Sequence, residues 1–287
     1  MLKIMNEYTY LNGKFIKHKD AKIHIEDRGI QFADSVYEVV PFYNKKLIDT
    51  KFHLQRLRIS LLAIDIKYKF TDKKLISIFC KLINIDNIKN GIIYLQITRG
   101  VQPRSHVYKN NLKPTIIIYT QSKSFNIPNK NFKGVEVITH EDLRWYRADL
   151  KTVNLLPNIL AENLAHKKNK YTAILIKKNR ITEGTHSNIW IIKKNKILTH
   201  PTNNQILKGV TRTVLKLIIK KTGLKLKENS FTKEQLYNAD EVFITSSGSF
   251  ITPVIKVDNK NINKGAIGNI TFKLATLYFK SVKNEKI

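Results

Sequence analysis

The run Arg144-Trp145-Tyr146-Arg147-Ala148-Asp149-Leu150-Lys151-Thr152-Val153-Asn154-Leu155-Leu156 decides how this chain is read, together with Ile181-Thr182-Glu183-Gly184-Thr185-His186-Ser187-Asn188 about thirty residues later. Lys151 follows an apolar, strand-like turn, and Glu183-Gly184 stands at the end of a strand-like run. A lysine amine closes a Schiff base with an aldehyde. A carboxylate keeps the nitrogen of a pyridine-type ring protonated, so that the ring accepts electrons from a carbanion. Lysine is abundant throughout the chain, so neither residue carries weight by itself.

The surrounding composition suits a globular chain. With 287 residues, 42% hydrophobic and 25% charged, the chain has the makings of one large or two medium globular domains with a real core. No apolar run approaches the roughly twenty residues of a membrane span, and Met1-Leu2-Lys3-Ile4-Met5-Asn6-Glu7 has no signal-peptide core. Cys80 is the one cysteine, so neither an internal disulfide nor a cysteine-held zinc site is expected. The expectation is a cytoplasmic enzyme with no metal and no membrane partner. The net charge of +29 invites a nucleic-acid reading. Yet Lys73, Lys74, Lys89, Lys109, Lys113, Lys130 and Lys133 are scattered, and Ile and Asn are abundant too, as a codon bias towards all three produces. No zinc-finger, RNP-type or basic-zipper pattern accompanies the charge. Weak, salt-sensitive polyanion binding is expected, without a specific nucleic-acid partner.

The chain carries no internal repeat. Tyr8–Leu11, Asn12-Gly13 and Lys14–Ile16 read as a hairpin, because Asn-Gly accepts the positive φ of a tight turn. Val36–Tyr43 reads as a strand turning at Asn44-Lys45-Lys46, and residues 92–99 and 115–120 read as further strands. Helices are expected over 52–64, burying Leu54, Leu57, Leu61 and Leu62, and over 72–83, with Leu75, Ile76, Phe79, Leu82 and Ile83 as the apolar stripe. The polar stretch 121–132 reads as a linker between an N-terminal domain, 1–120, and a C-terminal domain, 133–287. Strands are expected at 134–139, 173–176, 189–192 and 241–245. Helices are expected at 155–169 and 210–222, the latter stopping at Gly223. The tail after Phe279 reads as frayed and solvated.

Three segments offer what a phosphate needs. Lys208-Gly209-Val210-Thr211 opens a helix. Ser246-Ser247-Gly248 follows a strand and reads as a second lip of the cradle. Arg56 lies among core leucines and reaches inward. Each also has an ordinary reading, as helix cap, tight turn and surface arginine. Beyond them, Arg99-Gly100-Val101-Gln102-Pro103-Arg104-Ser105-His106 bends a loop that presents Arg104 and His106, a carboxylate-binding pair or a solvated basic loop. Tyr37 is a substrate contact or a core aromatic. His140, His166 and His200 have no evident partners and read as structural. Trp145 reads equally as a pocket wall or as packing.

Glu26-Asp27-Arg28-Gly29, Asp34-Ser35-Val36-Tyr37-Glu38-Val39, Thr98-Arg99-Gly100 with Pro103-Arg104-Ser105-His106, Asp149-Leu150-Lys151-Thr152-Val153-Asn154, Thr182-Glu183-Gly184 with Ser187-Asn188, and Lys208-Gly209-Val210-Thr211-Arg212 occur in that order. The chain thereby resembles the fold type IV pyridoxal phosphate aminotransferases, and within them the bacterial D-amino acid aminotransferases, from about Tyr8 to at least Pro253. The resemblance implies a two-domain α/β fold of the α+β type with the cofactor in the cleft between the domains. Lys151 would carry the cofactor and act as the catalytic base, a role that needs its amine neutral. Glu183 would pair with the ring nitrogen. Arg56, the backbone at Val210 and Thr211, and Ser247, with Ser246 beside it, would bind the phosphate. Tyr37, with Arg104 and His106 reaching across a homodimer, would hold the substrate carboxylate. His186 departs from the serine-rich run usual after the Glu-Gly.

The reaction implied is transamination between a D-amino acid, D-alanine first, and a 2-oxo acid such as 2-oxoglutarate, giving pyruvate and D-glutamate. Two alternatives share the fold: a branched-chain L-amino acid aminotransferase, against which Arg104 and His106 speak, and an aminodeoxychorismate lyase. A basic, non-catalytic binding protein is the third.

Overall fold

A computed structural model describes residues 7–284. These residues divide into two compact units. One runs to Ser124 and takes in Leu150–Asn154; the other consists of Phe125–Asp149 and Leu155–Asn284.

The first unit is a six-stranded antiparallel sheet in the order β2-β1-β6-β5-β3-β4, formed by β1 (Tyr8–Leu11), β2 (Lys14–Lys17), β3 (Ser35–Tyr43), β4 (Lys46–Leu47), β5 (Gly91–Thr98) and β6 (Ile116–Ser122). The β1–β2 turn has Asn12 at φ 49° and Gly13 at φ 99°, the positive angles expected of Asn-Gly. A second such turn at Asn44 and Lys45 joins β3 to β4. A short helix, α1 (Arg28–Phe32), precedes β3, and two longer ones, α2 (Thr50–Ala63) and α3 (Asp72–Ile85), pack on the sheet. Leu54, Leu57 and Leu61 of α2 and Leu75, Phe79 and Leu82 of α3 meet Val36, Val40, Phe42, Ile93, Leu95 and Ile97 in one core. Each such side chain contributes about 1.5–3 kcal/mol on burial. Leu62 corrects the sequence reading, for it is 83% exposed while Leu61 is 3%. Adjacent helical residues point about 100° apart, so only one of the two leucines faces the sheet.

The second unit holds a nine-stranded mixed sheet. Its strands are β7 (Val135–Glu141), β8 (Ala173–Lys177), β9 (Arg180–Gly184), β10 (Asn188–Lys193), β11 (Lys196–Thr199), β12 (Lys225–Glu228), β13 (Glu241–Ser246), β14 (Phe250–Val257) and β15 (Lys260–Asn261). The order is β12-β11-β10-β13-β14-β7-β8-β9, with β15 beside β14. β7 pairs parallel with both β14 and β8. Four α-helices also lie among the described residues of this unit: α4 (Leu156–Lys167), α5 (Val210–Lys220), α6 (Lys233–Tyr237) and α7 (Asn269–Asn284). The expected frayed tail is instead the end of α7 as far as Asn284, while Glu285 and Lys286 lie outside the described residues. Leu274, Ala275, Tyr278, Phe279 and Val282 bury one face of α7. The carboxylate of Glu241 caps its start, accepting the Thr271 N–H at 2.7 Å and the Ile270 N–H at 3.1 Å. Among the described residues no helix is long and apolar enough to cross a membrane.

Candidate active site

Lys151 belongs to the segment that runs along β3 in the first unit. The Tyr37 N–H donates to the Lys151 carbonyl at 2.9 Å and the Val153 N–H to that of Ser35 at 3.2 Å, with Val36 and Thr152 bridged between them. The half-buried side chain lays Nζ 4.1 Å from the centre of the Tyr37 ring, which stacks on Tyr94 at 5.8 Å. Lys151 and Tyr37, separate expectations in the sequence, therefore meet.

The next residue of β3, Glu38, points the other way and is fully buried. Its carboxylate accepts from Nε and Nη2 of Arg56, both at 2.8 Å, and lies 2.7 Å from Nδ1 of His53 on the same helix, α2. Burial opposes the charge on Glu38, but Arg56 and His53 outweigh it and hold its carboxyl down to about 2. Burial also pushes His53 down, against the pull of Glu38. Arg56 is thus oriented by a fork on Glu38, a partnership the sequence reading did not supply.

Arg104 and His106 stand on an exposed loop and flank one ring. The Arg104 guanidinium is 4.7 Å from the centre of Phe32, and the His106 ring is 5.5 Å from it. Two further arginines anchor this loop. Arg28 donates to the carbonyls of Ser105 at 2.6 Å and His106 at 3.4 Å, and Arg99 lies 3.6 Å over the ring of Tyr108. Both share the carboxylate of Asp34 at 2.7–2.9 Å. Arg28 and Asp34 fall within the quoted sequence blocks, but nothing local in the sequence shows that they meet.

In the second unit Glu183 sits buried near the end of β9. One oxygen accepts from Nη1 of Arg144. The other accepts from Asn188 Nδ2 at 3.0 Å and from the Leu207 N–H at 3.1 Å. Arg144 is shared with a second buried carboxylate, Asp142, bound through Nε at 2.8 Å and Nη2 at 2.7 Å. Burial pushes Glu183 up to about 7, against the pull of Arg144. One guanidinium serves two buried acids, so the cluster is short of positive charge. Sequence reasoning assigns no role to Asp142, Arg144 or Asn188. The one available signal was Asp142-Leu143-Arg144, an acid and a base two apart and so on one side of an extended chain.

The remaining expected residues lie in the same unit. Val210 and Thr211 are buried in the first turn of α5, whose N-cap, Gly209, offers no side-chain cap. A Cβ on Gly209 would come 2.1 Å from Asn188 Oδ1, so only glycine fits beside the residue that also holds Glu183. Ser246 ends β13 with its hydroxyl 2.8 Å from that of Ser249, across the turn that contains half-buried Ser247. The His186 side chain is 48% exposed, with Nδ1 3.0 Å from Thr185 Oγ1 and 3.8 Å from Glu162. Trp145 is 39% exposed. His140, His166 and His200 correct the reading that they lack partners. Nδ1 of His140 and of His200 lies against the carbonyl of the next residue, and His166 lies 3.8 Å from Glu162 one helical turn away. Among the described residues no group of three or more metal-ligating side chains assembles.

The family model described as amino-transferase class IV matches residues 35–257. A D-alanine aminotransferase of Staphylococcus haemolyticus is 39% identical over 278 residues, covering 96% of this chain and 98% of that protein. Among solved structures, the branched-chain amino acid aminotransferase of Escherichia coli superposes with a TM-score of 0.89 at 22% identity, covering 98% and 96% of the two chains. The T.th. branched-chain amino acid aminotransferase with pyridoxamine 5′-phosphate gives 0.88 at 21%, covering 98% and 95%.

Proposed function

The chain belongs to the class IV aminotransferases, and from that premise we propose that it transfers the amino group of a D-amino acid, D-alanine first, to a 2-oxo acid such as 2-oxoglutarate, giving pyruvate and D-glutamate. The cofactor is pyridoxal 5′-phosphate, as in the class. The full-length likeness to a D-alanine aminotransferase carries the choice of D-amino acids. The branched-chain enzymes share the fold at 21–22% identity, which speaks to architecture and not to substrate.

The residues fit this cofactor. Glu183 shares its cation with Asp142, so a protonated ring nitrogen is the complement it lacks. The α5 N-terminus has no side-chain cap and leaves N–H groups for an anion. The hydroxyl of Ser187 is buried and has no hydrogen-bond partner among the described residues, a cost that a bound polar ligand would relieve.

When bound, the cofactor supplies an aldehyde and an electron-accepting ring that together make the Cα proton of an amino acid acidic. Lys151 would hold the cofactor through its side-chain amine, and that same amine would move the proton at the substrate Cα. Backbone bonds to β3 hold the Lys151 segment and its amine lies over Tyr37, so that amine would approach the substrate Cα from one side. Glu183 holds a proton on the ring nitrogen. Arg56, the N–H groups of Val210 and Thr211, and the hydroxyls of Ser246 and Ser247 hold the phosphate. Tyr37, Arg104 and His106 take the substrate carboxylate, the last two supplied by a second copy in a homodimer. The enzyme works in the cytoplasm.

Lys151→Ala is expected to abolish amine transfer from D-alanine to 2-oxoglutarate while the far-ultraviolet circular dichroism stays that of the parent. Near-parental turnover by that variant would remove Lys151 from the chemistry. Faster transfer from L-leucine than from D-alanine by the parent would replace the D-amino acid reading with the branched-chain one. Pyruvate release from aminodeoxychorismate without a 2-oxo acid would replace it with the lyase.

A further inference from the structure

Arg144 is a buried cation that the steps above leave without a task. Its side chain is 6% exposed, and it donates to four residues, among them the Thr182 hydroxyl at 3.5 Å. Nε and Nη2 grip the two oxygens of Asp142 as a fork, Nη2 also donates to the Gln205 carbonyl at 2.9 Å, and Nη1 donates to Glu183. Asp142 is fixed in turn by the hydroxyl of Thr182 at 2.6 Å, the residue before Glu183 on β9. A fork sets the plane of a guanidinium as well as its place. With Asp142 on one edge, Nη1 is the donor left for Glu183. The second oxygen of Glu183 is taken by Asn188 and the Leu207 N–H. The carboxylate therefore cannot turn without breaking a bond on one side or the other.

Resting on the proposed role of Glu183 towards the cofactor ring, we infer that Arg144, oriented by Asp142, is a positioning residue that keeps the Glu183 carboxylate charged and aimed at a ring nitrogen. The physical reason is desolvation. A carboxyl buried this deeply prefers to be neutral, and a neutral acid does not hold a proton on a ring nitrogen. Burial already pushes Glu183 up to about 7 with the guanidinium in contact. Removing Arg144 takes away the cation that opposes this drift and leaves Asp142 without its partner. Lysine would return the charge but not the fork.

The test uses the holoenzyme and a thermodynamic cycle. Release of pyridoxal phosphate at equilibrium is followed by visible absorbance for the parent, Arg144→Gln, Glu183→Gln and the double variant. Loss of a charge-assisted contact predicts binding weakened about tenfold or more in each single variant. If Arg144 acts through Glu183, adding Arg144→Gln to Glu183→Gln weakens binding less than about threefold further. Arg144→Lys is expected to recover part of the affinity, and it serves in the same cycle if Arg144→Gln does not fold. A parent that binds no cofactor, or a Glu183→Gln variant that holds it as the parent does, removes the role of Glu183 itself. A weakened Glu183→Gln beside an unchanged Arg144→Gln leaves that role standing and overturns the inference for Arg144. Additive losses overturn it too, since they mean that Arg144 acts on the fold and not through Glu183.

Discussion

Glu38→Gln is expected to cost the first unit about 3 kcal/mol at neutral pH, and the cost is expected to vanish in acid. Glu38 is fully buried and accepts two donors of Arg56 at 2.8 Å, beside His53 at 2.7 Å. Its carboxyl lies at about 2 in place of the usual 4.5. At about 1.4 kcal/mol for each tenfold, that drop corresponds to roughly 3 kcal/mol in favour of the charged folded form. Removing one member of a buried ion pair costs about 3–5 kcal/mol by comparison with other proteins, because the other member stays buried and uncompensated. The two figures agree. The sign follows from the direction of the shift. A depressed acid stabilises the fold above the unfolded value of 4.5 and loses that contribution as pH falls towards about 2. Urea unfolding of parent and variant across this acid range, followed by a probe within the first unit, measures the difference. A gap that is large at neutral pH and closes towards about 2 is expected. A gap that stays constant over that range, or no gap at neutral pH, would refute the reasoning.

Other consequences are more local. Arg104→Ala is expected to raise KM for the amine donor about tenfold while kcat changes little, since it removes a contact made before the chemistry. Asp34→Asn should move KM the same way by loosening the Arg28 and Arg99 anchors of that loop, and parental kinetics would deny the anchoring. Gly209→Ala places a Cβ 2.1 Å from Asn188 Oδ1. By displacing the Asn188 bond to Glu183 it should weaken cofactor retention, read by visible absorbance. Leu61→Ala should cost about 2–5 kcal/mol in urea unfolding, whereas Leu62→Ala should stay within about 0.5 kcal/mol; equal costs would contradict the exposure of Leu62.

What the sequence determined by itself was carried by local rules and by ordered motifs. Asn12-Gly13 dictates a tight hairpin because both residues tolerate positive φ. The spacing of Leu75, Phe79, Leu82 and Ile83 dictates a helix with one buried face. Lys151 and the Glu183-Gly184 pair, set among the other motifs, led to the class that the family model also matches. Tertiary structure decided what depends on long-range neighbours. Whether Leu61 or Leu62 goes inside depends on which side the sheet lies. That Glu38 grips Arg56, that Asp34 joins Arg28 to Arg99, and that Arg144 is shared by Asp142 and Glu183 are pairings between side chains up to 65 residues apart. Periodicity along a chain reports which face a residue occupies. It says nothing of which charge from another element will be buried against that face, and in low-dielectric surroundings that neighbour sets how each of these acids behaves.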